Sequence, residues 1–101
     1  MPDQLVHDIG QGHLANLTIA HLWSGDTSEH PTQSPCPGEN ETVDIINNLM
    51  KLPQWKEMAI LVTWDDWGGF YDHVAPTVKK CANGKIFNTG FRLPMLLISP
   101  Y

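Results

Sequence analysis

The fold is decided by a continuous apolar run, MAILVTW, at residues 58–64. The run is short for a helix, contains several β-branched side chains, and ends at once in charged residues. Runs of this kind are typical of strands that are buried on both faces, as in parallel sheets. The sequence therefore predicts a strand over residues 58–64 that is buried on both faces.

The clearest helix precedes this run, at about residues 41–52. Its apolar side chains fall on one stripe, which includes Val43 and Met50. Asn40 is suited to cap the start, and Pro53 ends the element because proline lacks the N–H that a continuing helix needs. The spacing predicts a helix that packs one face on the sheet.

Two further strands are predicted, at residues 17–23 and 94–99, and residues 1–16 are expected to form a loop or extension. Strand, helix and strand in this order imply a right-handed crossover and a parallel sheet. One helix cannot cover both faces of such a sheet. We therefore expect an α/β fold with an incomplete parallel sheet, with residues 1–101 forming part of a single larger domain.

Composition excludes several classes of protein. The 101 residues contain 42% apolar residues, and eleven acidic against six basic side chains give a net charge of −5. No basic patch of the kind that nucleic-acid binders carry is present, no apolar run is long enough for a transmembrane segment, and the first residues do not form a signal peptide. Cys36 and Cys81 are consistent with either one disulfide or two free thiols.

The strongest candidate for chemistry follows the strand at residues 58–64, where Asp65 and Asp66 precede Gly68 and Gly69. In open α/β sheets, ligands bind beyond the carboxyl ends of the strands. Two adjacent carboxylates are costly together unless a proton or a cation separates them, and a divalent metal ion is the simplest remedy. The alternative is a solvated strand end, and the pattern alone favours that alternative.

Two histidines are further candidates. His30 lies in the long loop after the first predicted strand, so it is expected at the same sheet edge as Asp65. An imidazole there can donate to a phosphoryl oxygen or transfer a proton, although an exposed loop histidine is the commoner case. His73 is a second candidate for a catalytic group, and its neighbour Asp72 favours a structural histidine held by that carboxylate.

Five blocks in order carry a family resemblance: SEHP at 28–31, PQW at 53–55, TWDDWGGFYDHVAP at 63–76, GFRLP at 90–94 and ISPY at 98–101. Together they resemble the phosphoesterase family that contains bacterial phospholipases C and related acid phosphatases. The resemblance covers about residues 17–101.

The resemblance implies an alkaline-phosphatase-like α/β fold and hydrolysis of phosphate esters at a metal-assisted nucleophile. By resemblance, Asp65 and Asp66 hold a divalent metal ion of unknown identity, and His30 lines the phosphate pocket. Arg92 and Pro94 match a structural segment. The serine or threonine nucleophile and a further Glu-Asn pair of metal ligands come from segments before this one in the family, so the isolated chain is expected to be inactive. It is also expected to be poorly folded, because its strands lack neighbours and leave bare edges.

Two hypotheses follow for function. The first is a carboxy-proximal part of a phosphoric ester hydrolase, of phospholipase C or acid phosphatase type, whose substrate is a phosphate ester and possibly a phospholipid. The resemblance places that parent enzyme outside the cytoplasm, either secreted or periplasmic. The alternative is a catalytically inactive truncated remnant that acts at most as a metal- or partner-binding fragment.

Overall fold

The computed structural model describes residues 3–22 and 25–101. This part of the chain contains helices, which come first, and strands, which follow them, and this confirms a mixed helix and strand composition. The elements are α1 (Asp3–Gln11), a 3-10 helix (Gly25–Thr27), α2 (Pro35–Leu49), a second 3-10 helix (Pro53–Glu57), β1 (Ile60–Thr63), β2 (Val78–Lys80), β3 (Ile86–Asn88) and β4 (Met95–Ile98). None of the described helices has the length and apolar character needed to cross a membrane.

Helix α1 corrects the prediction of a loop or extension over residues 1–16 for residues 3–11, which are helical. The helix ends in two hydrogen bonds, from the Gly12 N–H to the Ile9 carbonyl (3.0 Å) and from the His13 N–H to the Asp8 carbonyl (2.9 Å). Gly12 has φ 66°, a left-handed conformation that glycine adopts without steric cost. This pair of bonds is the Schellman arrangement, which satisfies the last carbonyls of a helix.

Helix α2 is longer at its start and shorter at its end than the predicted helix at 41–52. It begins at Pro35, after the extended residue Ser34. Proline is favoured in the first turn because the N–H that it lacks would have no partner within the helix there. Asn40 therefore lies inside the helix, and its predicted role as a cap is wrong. The helix ends before Leu52, whose ψ of 146° is the extended conformation that a following proline imposes.

The chain divides into two compact units, Met1–Ile60 with Ile98–Tyr101, and Leu61–Leu97. The first unit holds a small apolar core in which Leu5 of α1 meets Ile45 and Leu49 of α2. Partly buried apolar side chains surround this core: Ile9, Leu14, Leu22, Leu52, Met58 and Ile60. The amphipathic faces of α1 and α2 are therefore each other's partners.

The predicted strand at 17–23 is wrong for residues 17–22, which form no strand, and Trp23 lies outside the described residues. Leu17 is 78% exposed and Ile19 is 86% exposed. Alternation of apolar side chains predicts a strand only where a neighbouring strand supplies hydrogen bonds, and residues 17–22 pair with no strand in the described part of the chain.

The predicted strands at 58–64 and 94–99 are confirmed in shorter form as β1 and β4, which pair with each other. The Thr63 hydroxyl donates to the Pro94 carbonyl (3.0 Å), and the Ser99 hydroxyl donates to the Met58 carbonyl (2.9 Å). The end of each strand thus lies beside the start of the other, so the pair is antiparallel. The expected parallel sheet is not found among the described residues, and β1 is not buried on both faces, since Leu61 is 62% exposed.

Strands β2 and β3 form an antiparallel hairpin that the sequence analysis missed. The turn is closed by hydrogen bonds from the Cys81 N–H to the Lys85 carbonyl (2.8 Å) and from the Gly84 N–H to the Cys81 carbonyl (2.9 Å). Gly84 has φ 82°, and Asn83 precedes it, as in many hairpin turns. Cys81 in this turn and Cys36 are both exposed free thiols, so of the two alternatives for the cysteines the structure shows free thiols.

Candidate active site

The two predicted metal ligands lie in the loop directly after β1. Asp65 and Asp66 are both exposed, and the chain then reverses through Gly68 (φ 64°) and Gly69 (φ 79°). The Gly68 N–H donates to Asp66 Oδ1 at 2.8 Å, which fixes the Asp66 side chain in an Asx turn. A carboxylate has two oxygens and about four acceptor positions, so Asp66 keeps the capacity to bind a further partner.

This loop fits a hard divalent cation in the kind of donor that it offers. Carboxylate oxygens are the ligands that calcium, magnesium and manganese prefer, and a cation offsets the repulsion between adjacent carboxylates. In number the set is incomplete, because residues 3–22 and 25–101 contain no group of three or more His, Cys, Asp or Glu side chains that converge. Asp65 and Asp66 therefore supply part of a coordination shell at most.

His30 lies in a tight turn of the first unit. The Gln33 N–H donates to the His30 carbonyl (3.0 Å), and the Ser28 hydroxyl donates to Gln33 Oε1 (2.7 Å). The imidazole is exposed, and its Nδ1 lies 3.1 Å from the Pro31 carbonyl oxygen. A carbonyl only accepts, so Nδ1 carries the hydrogen in this bond and Nε2 is the nitrogen left for a ligand.

The backbone around His30 is strained on both sides. Glu29 has φ 57° and Thr32 has φ 84°, and positive φ is a costly conformation for a β-branched residue such as threonine. The segment before His30 also packs closely on α2 at Gly38, where a Cβ atom would meet the Glu29 side chain and lie 2.7 Å from the Thr27 carbonyl oxygen. The turn that presents His30 is therefore held by a close approach that only glycine allows.

Asp65 and Asp66 lie in one loop of the second unit, and His30 lies in a turn of the first. The predicted contact between His73 and Asp72 is weak, because His73 Nδ1 lies 4.0 Å from Asp72 Oδ1 and the His73 side chain is 81% exposed. The interpretation of His73 as a structural histidine held by Asp72 stays a prediction.

Asp72 instead binds Arg92, twenty residues further along the chain. Arg92 Nη2 donates to Asp72 Oδ1 (2.7 Å), and Arg92 Nε donates to Asp72 Oδ2 (2.8 Å). The guanidinium of Arg92, helped by the Val74 N–H, holds the pKa of the Asp72 carboxyl well below its usual range. The same bonds raise the pKa of Arg92. This ion pair is the feature of the site region that sequence reasoning missed.

Comparison with known proteins decides the family. The Phosphoesterase family matches residues 1–101. The chain is 42% identical to the non-specific phospholipase C1 of Arabidopsis thaliana over 84 residues, which is 72% of this chain and 16% of that protein. The chain belongs to the phosphoesterase family.

Other relatives of this phosphoesterase chain agree. The non-specific phospholipase C3 of Arabidopsis thaliana is 34% identical over 90% of this chain and 21% of its own length. The phospholipase C B of Mycobacterium tuberculosis (strain ATCC 25618 / H37Rv) is 33% identical over 73% of this chain and 18% of its own length. The phosphoesterase chain thus spans about a fifth of the length of the curated relatives that it matches.

Proposed function

We propose that this chain carries part of the catalytic centre of a phosphoric ester hydrolase of phospholipase C or acid phosphatase type. The single observation that carries the proposal is the carboxylate pair Asp65 and Asp66, presented at the end of β1 in a chain that matches the phosphoesterase family along its whole length. The family resemblance favours the metal-binding interpretation of this pair over that of a solvated strand end.

Asp65 and Asp66 are proposed to bind a divalent cation through their carboxylate oxygens. The Asx turn at Asp66 and the glycine reversal after it restrict the loop before any cation binds, so less entropy is lost on binding. A bound divalent cation at such a site polarises a phosphoryl oxygen and lowers the pKa of a nucleophilic hydroxyl. The two carboxylates would orient that cation and balance its charge.

His30 is proposed to face the phosphate group of the substrate. Its Nδ1 is engaged by the Pro31 carbonyl, which leaves Nε2 as the ring nitrogen available to a ligand. When protonated, Nε2 donates a hydrogen bond to a phosphoryl or leaving-group oxygen, and this bond stabilises the charge that develops there. His73 is a lesser candidate for such a role, because little in the structure fixes its exposed ring.

The nucleophile and the remaining metal ligands are proposed to come from segments outside these 101 residues. The small share of each relative that the chain covers supports this, as does the incomplete donor set at Asp65 and Asp66. An alkaline-phosphatase-like domain completed by those segments would also cover the exposed apolar side chains of β1 and β4, such as Leu61 and Leu97.

The proposed substrate is a phosphate ester. The narrower proposal is a phospholipid, because the relatives are named as phospholipases C. We also predict that the parent enzyme is located outside the cytoplasm, either secreted or periplasmic. Hydrolysis of p-nitrophenyl phosphate and of p-nitrophenyl phosphorylcholine would distinguish a phosphomonoesterase from a phosphodiesterase.

The test of the proposal is the double substitution Asp65→Asn with Asp66→Asn in the protein at its full natural length. Removal of both carboxylates should abolish metal-dependent hydrolysis and leave the fold intact, since neither side chain is buried. The matched control is Glu39→Gln with Asp44→Asn, which removes two exposed acidic charges from α2. The control variant should keep wild-type turnover.

Two results would contradict the proposal. Wild-type turnover in the Asp65→Asn, Asp66→Asn variant would show that these carboxylates are not metal ligands in the reaction. Absence of hydrolysis in the wild-type protein at its full natural length, with both substrates and with added divalent metals, would favour the alternative of an inactive metal- or partner-binding fragment.

A further inference from the structure

The Asp72 carboxylate is the meeting point of four N–H donors. Arg92 binds it through Nη2 (2.7 Å), Nε (2.8 Å) and its own backbone N–H (3.2 Å), and the Val74 N–H adds a fourth bond (2.9 Å). The Asp72 side chain is only 12% exposed, although Arg92 is 62% exposed. A two-pronged ion pair with added backbone donors fixes both direction and distance, which a single charge contact does not.

Two further contacts accompany this ion pair in joining β1 and the loop after it to the segment before β4, and all three lie within Leu61–Leu97. Before the two aspartates, Thr63 donates to the Pro94 carbonyl at 3.0 Å. After them, the Trp67 ring meets the Phe91 ring edge-on, with centroids 5.0 Å apart. The Asp72–Arg92 pair closes the far end of the loop.

We propose that Arg92 is a positioning residue that acts through Asp72 on the loop carrying Asp65 and Asp66. The inference rests on the proposed role of those two aspartates as metal ligands. Adjacent carboxylates repel each other, and a loop with a loose end would separate them when no cation is bound. Arg92 fixes that end of the loop, so the loop is already close to its binding conformation before the cation arrives. The entropy cost of ordering the loop therefore weakens cation binding less.

The chemistry of Arg92 distinguishes this role from a general effect of positive charge. Lysine would keep the charge, but it cannot make the two parallel bonds that fix the Asp72 carboxylate. Arg92 does not need to touch the cation or the substrate. Its effect is therefore expected in the affinity for the cation and in the order of the loop, and turnover should recover when the cation is saturating.

The experiment compares Arg92→Ala and Arg92→Lys with Lys85→Ala, a control that removes an exposed positive charge from the β2–β3 hairpin. The protein at its full natural length is titrated with Mn²⁺ alone, and the loss of the free-ion EPR signal gives the Kd. Arg92→Ala should raise the Kd by roughly tenfold and Arg92→Lys by a smaller factor, toward the low end of the range for residues that bond directly to metal ligands, because Arg92 acts on the ligand loop only through Asp72. Lys85→Ala should leave the Kd unchanged.

A second measurement reports on the loop itself. Amide hydrogen exchange over residues 64–74 of the metal-free protein should be faster in Arg92→Ala and Arg92→Lys than in the wild type and in Lys85→Ala. Hydrolysis should show the corresponding division, with a raised metal requirement and a nearly unchanged kcat at saturating Mn²⁺. Circular dichroism checks that each variant folds. If Arg92→Ala does not fold, the result for Arg92→Lys decides the question.

The outcomes separate this inference from the proposed function. If Asp65→Asn with Asp66→Asn loses Mn²⁺ binding while both Arg92 variants bind Mn²⁺ as the wild type does, the aspartates are ligands and the positioning role of Arg92 is refuted. If the double variant of the aspartates binds Mn²⁺ as tightly as the wild type, the proposed metal site fails, and the positioning role fails with it.

Discussion

The substitution Gly38→Ala tests how the turn that carries His30 is held. Gly38 is a buried residue of α2, and an added Cβ would collide with the Glu29 side chain and lie 2.7 Å from the Thr27 carbonyl oxygen. The Thr27 carbonyl belongs to the backbone of a 3-10 helix, so it moves only if the segment that leads to His30 moves with it.

Two opposing effects set the size of the change. Alanine is favoured over glycine inside a helix by about 1 kcal/mol. Overpacking of a close contact costs about 1–3 kcal/mol, because backbone and neighbouring side chains must shift. The free energy of unfolding is therefore expected to fall by about 0–2 kcal/mol in Gly38→Ala, although the substitution by itself favours a helix.

The matched control is Gly10→Ala in α1, where a new Cβ would have no atom within 4 Å. The same chemical change is then free of any collision, and stability should rise by roughly 0.5–1 kcal/mol. Urea unfolding of both variants, in the protein at its full natural length, gives the two signs directly. Turnover should fall about tenfold to a hundredfold in Gly38→Ala if His30 is displaced from the phosphate.

The cation affinity gives an internal check on Gly38→Ala. Asp65 and Asp66 belong to the other compact unit, so the Kd for Mn²⁺ should stay at the wild-type value. The reasoning is refuted if Gly38→Ala is stabilised as much as Gly10→Ala and keeps wild-type turnover. Such a result would mean that the close approach to Thr27 is not what holds the His30 turn.

Two further predictions concern the imidazoles and the ion pair. His30→Gln should reduce turnover strongly at constant metal affinity, while His73→Gln should change it little, and equal losses in steady-state kinetics would contradict the assigned roles. Because Arg92 lowers the pKa of Asp72, the stabilisation by this pair should be complete above about pH 4, the usual range of an aspartate, and should be lost as the pH falls further. Urea unfolding from pH 7 to pH 2 should show the difference between wild type and Arg92→Ala shrinking only at the acid end, whereas a difference that stays constant would refute the linkage.

The elements that could be predicted from the sequence are those with a continuous apolar pattern. The run at 58–64 and the segment at 94–99 contain β1 and β4, and the stripe through Val43 and Met50 lies mostly in α2. Burial on both faces was not predictable in the same way. The apolar side chains of a strand match its burial in the whole domain, and the chain spans only about a fifth of the length of its relatives.

The elements that were not predicted have glycine or proline residues in or near them, and these residues argue more strongly for a loop than the apolar pattern argues for a helix. The glycines near the end of α1 favoured a loop in the prediction, although a glycine such as Gly12, with its positive φ, is the residue that commonly ends a helix. The prolines before Asn40 suggested a loop, yet Pro35 begins α2. The loop that carries Asp65 and Asp66 was easier to recognise, because the groups that perform chemistry there are contiguous in the sequence.

The Asp72–Arg92 pair was missed because the hairpin that creates it was missed. Twenty residues separate the two side chains, and the length-dependent cost of closing such a loop is about 2.7 kcal/mol by chain statistics. The β2–β3 hairpin removes most of that freedom, since the Thr89 N–H donates to the Thr77 carbonyl (3.0 Å) at its base and returns the chain toward Asp72. A hairpin with no catalytic group of its own thus allows Arg92 to reach the loop of the two aspartates.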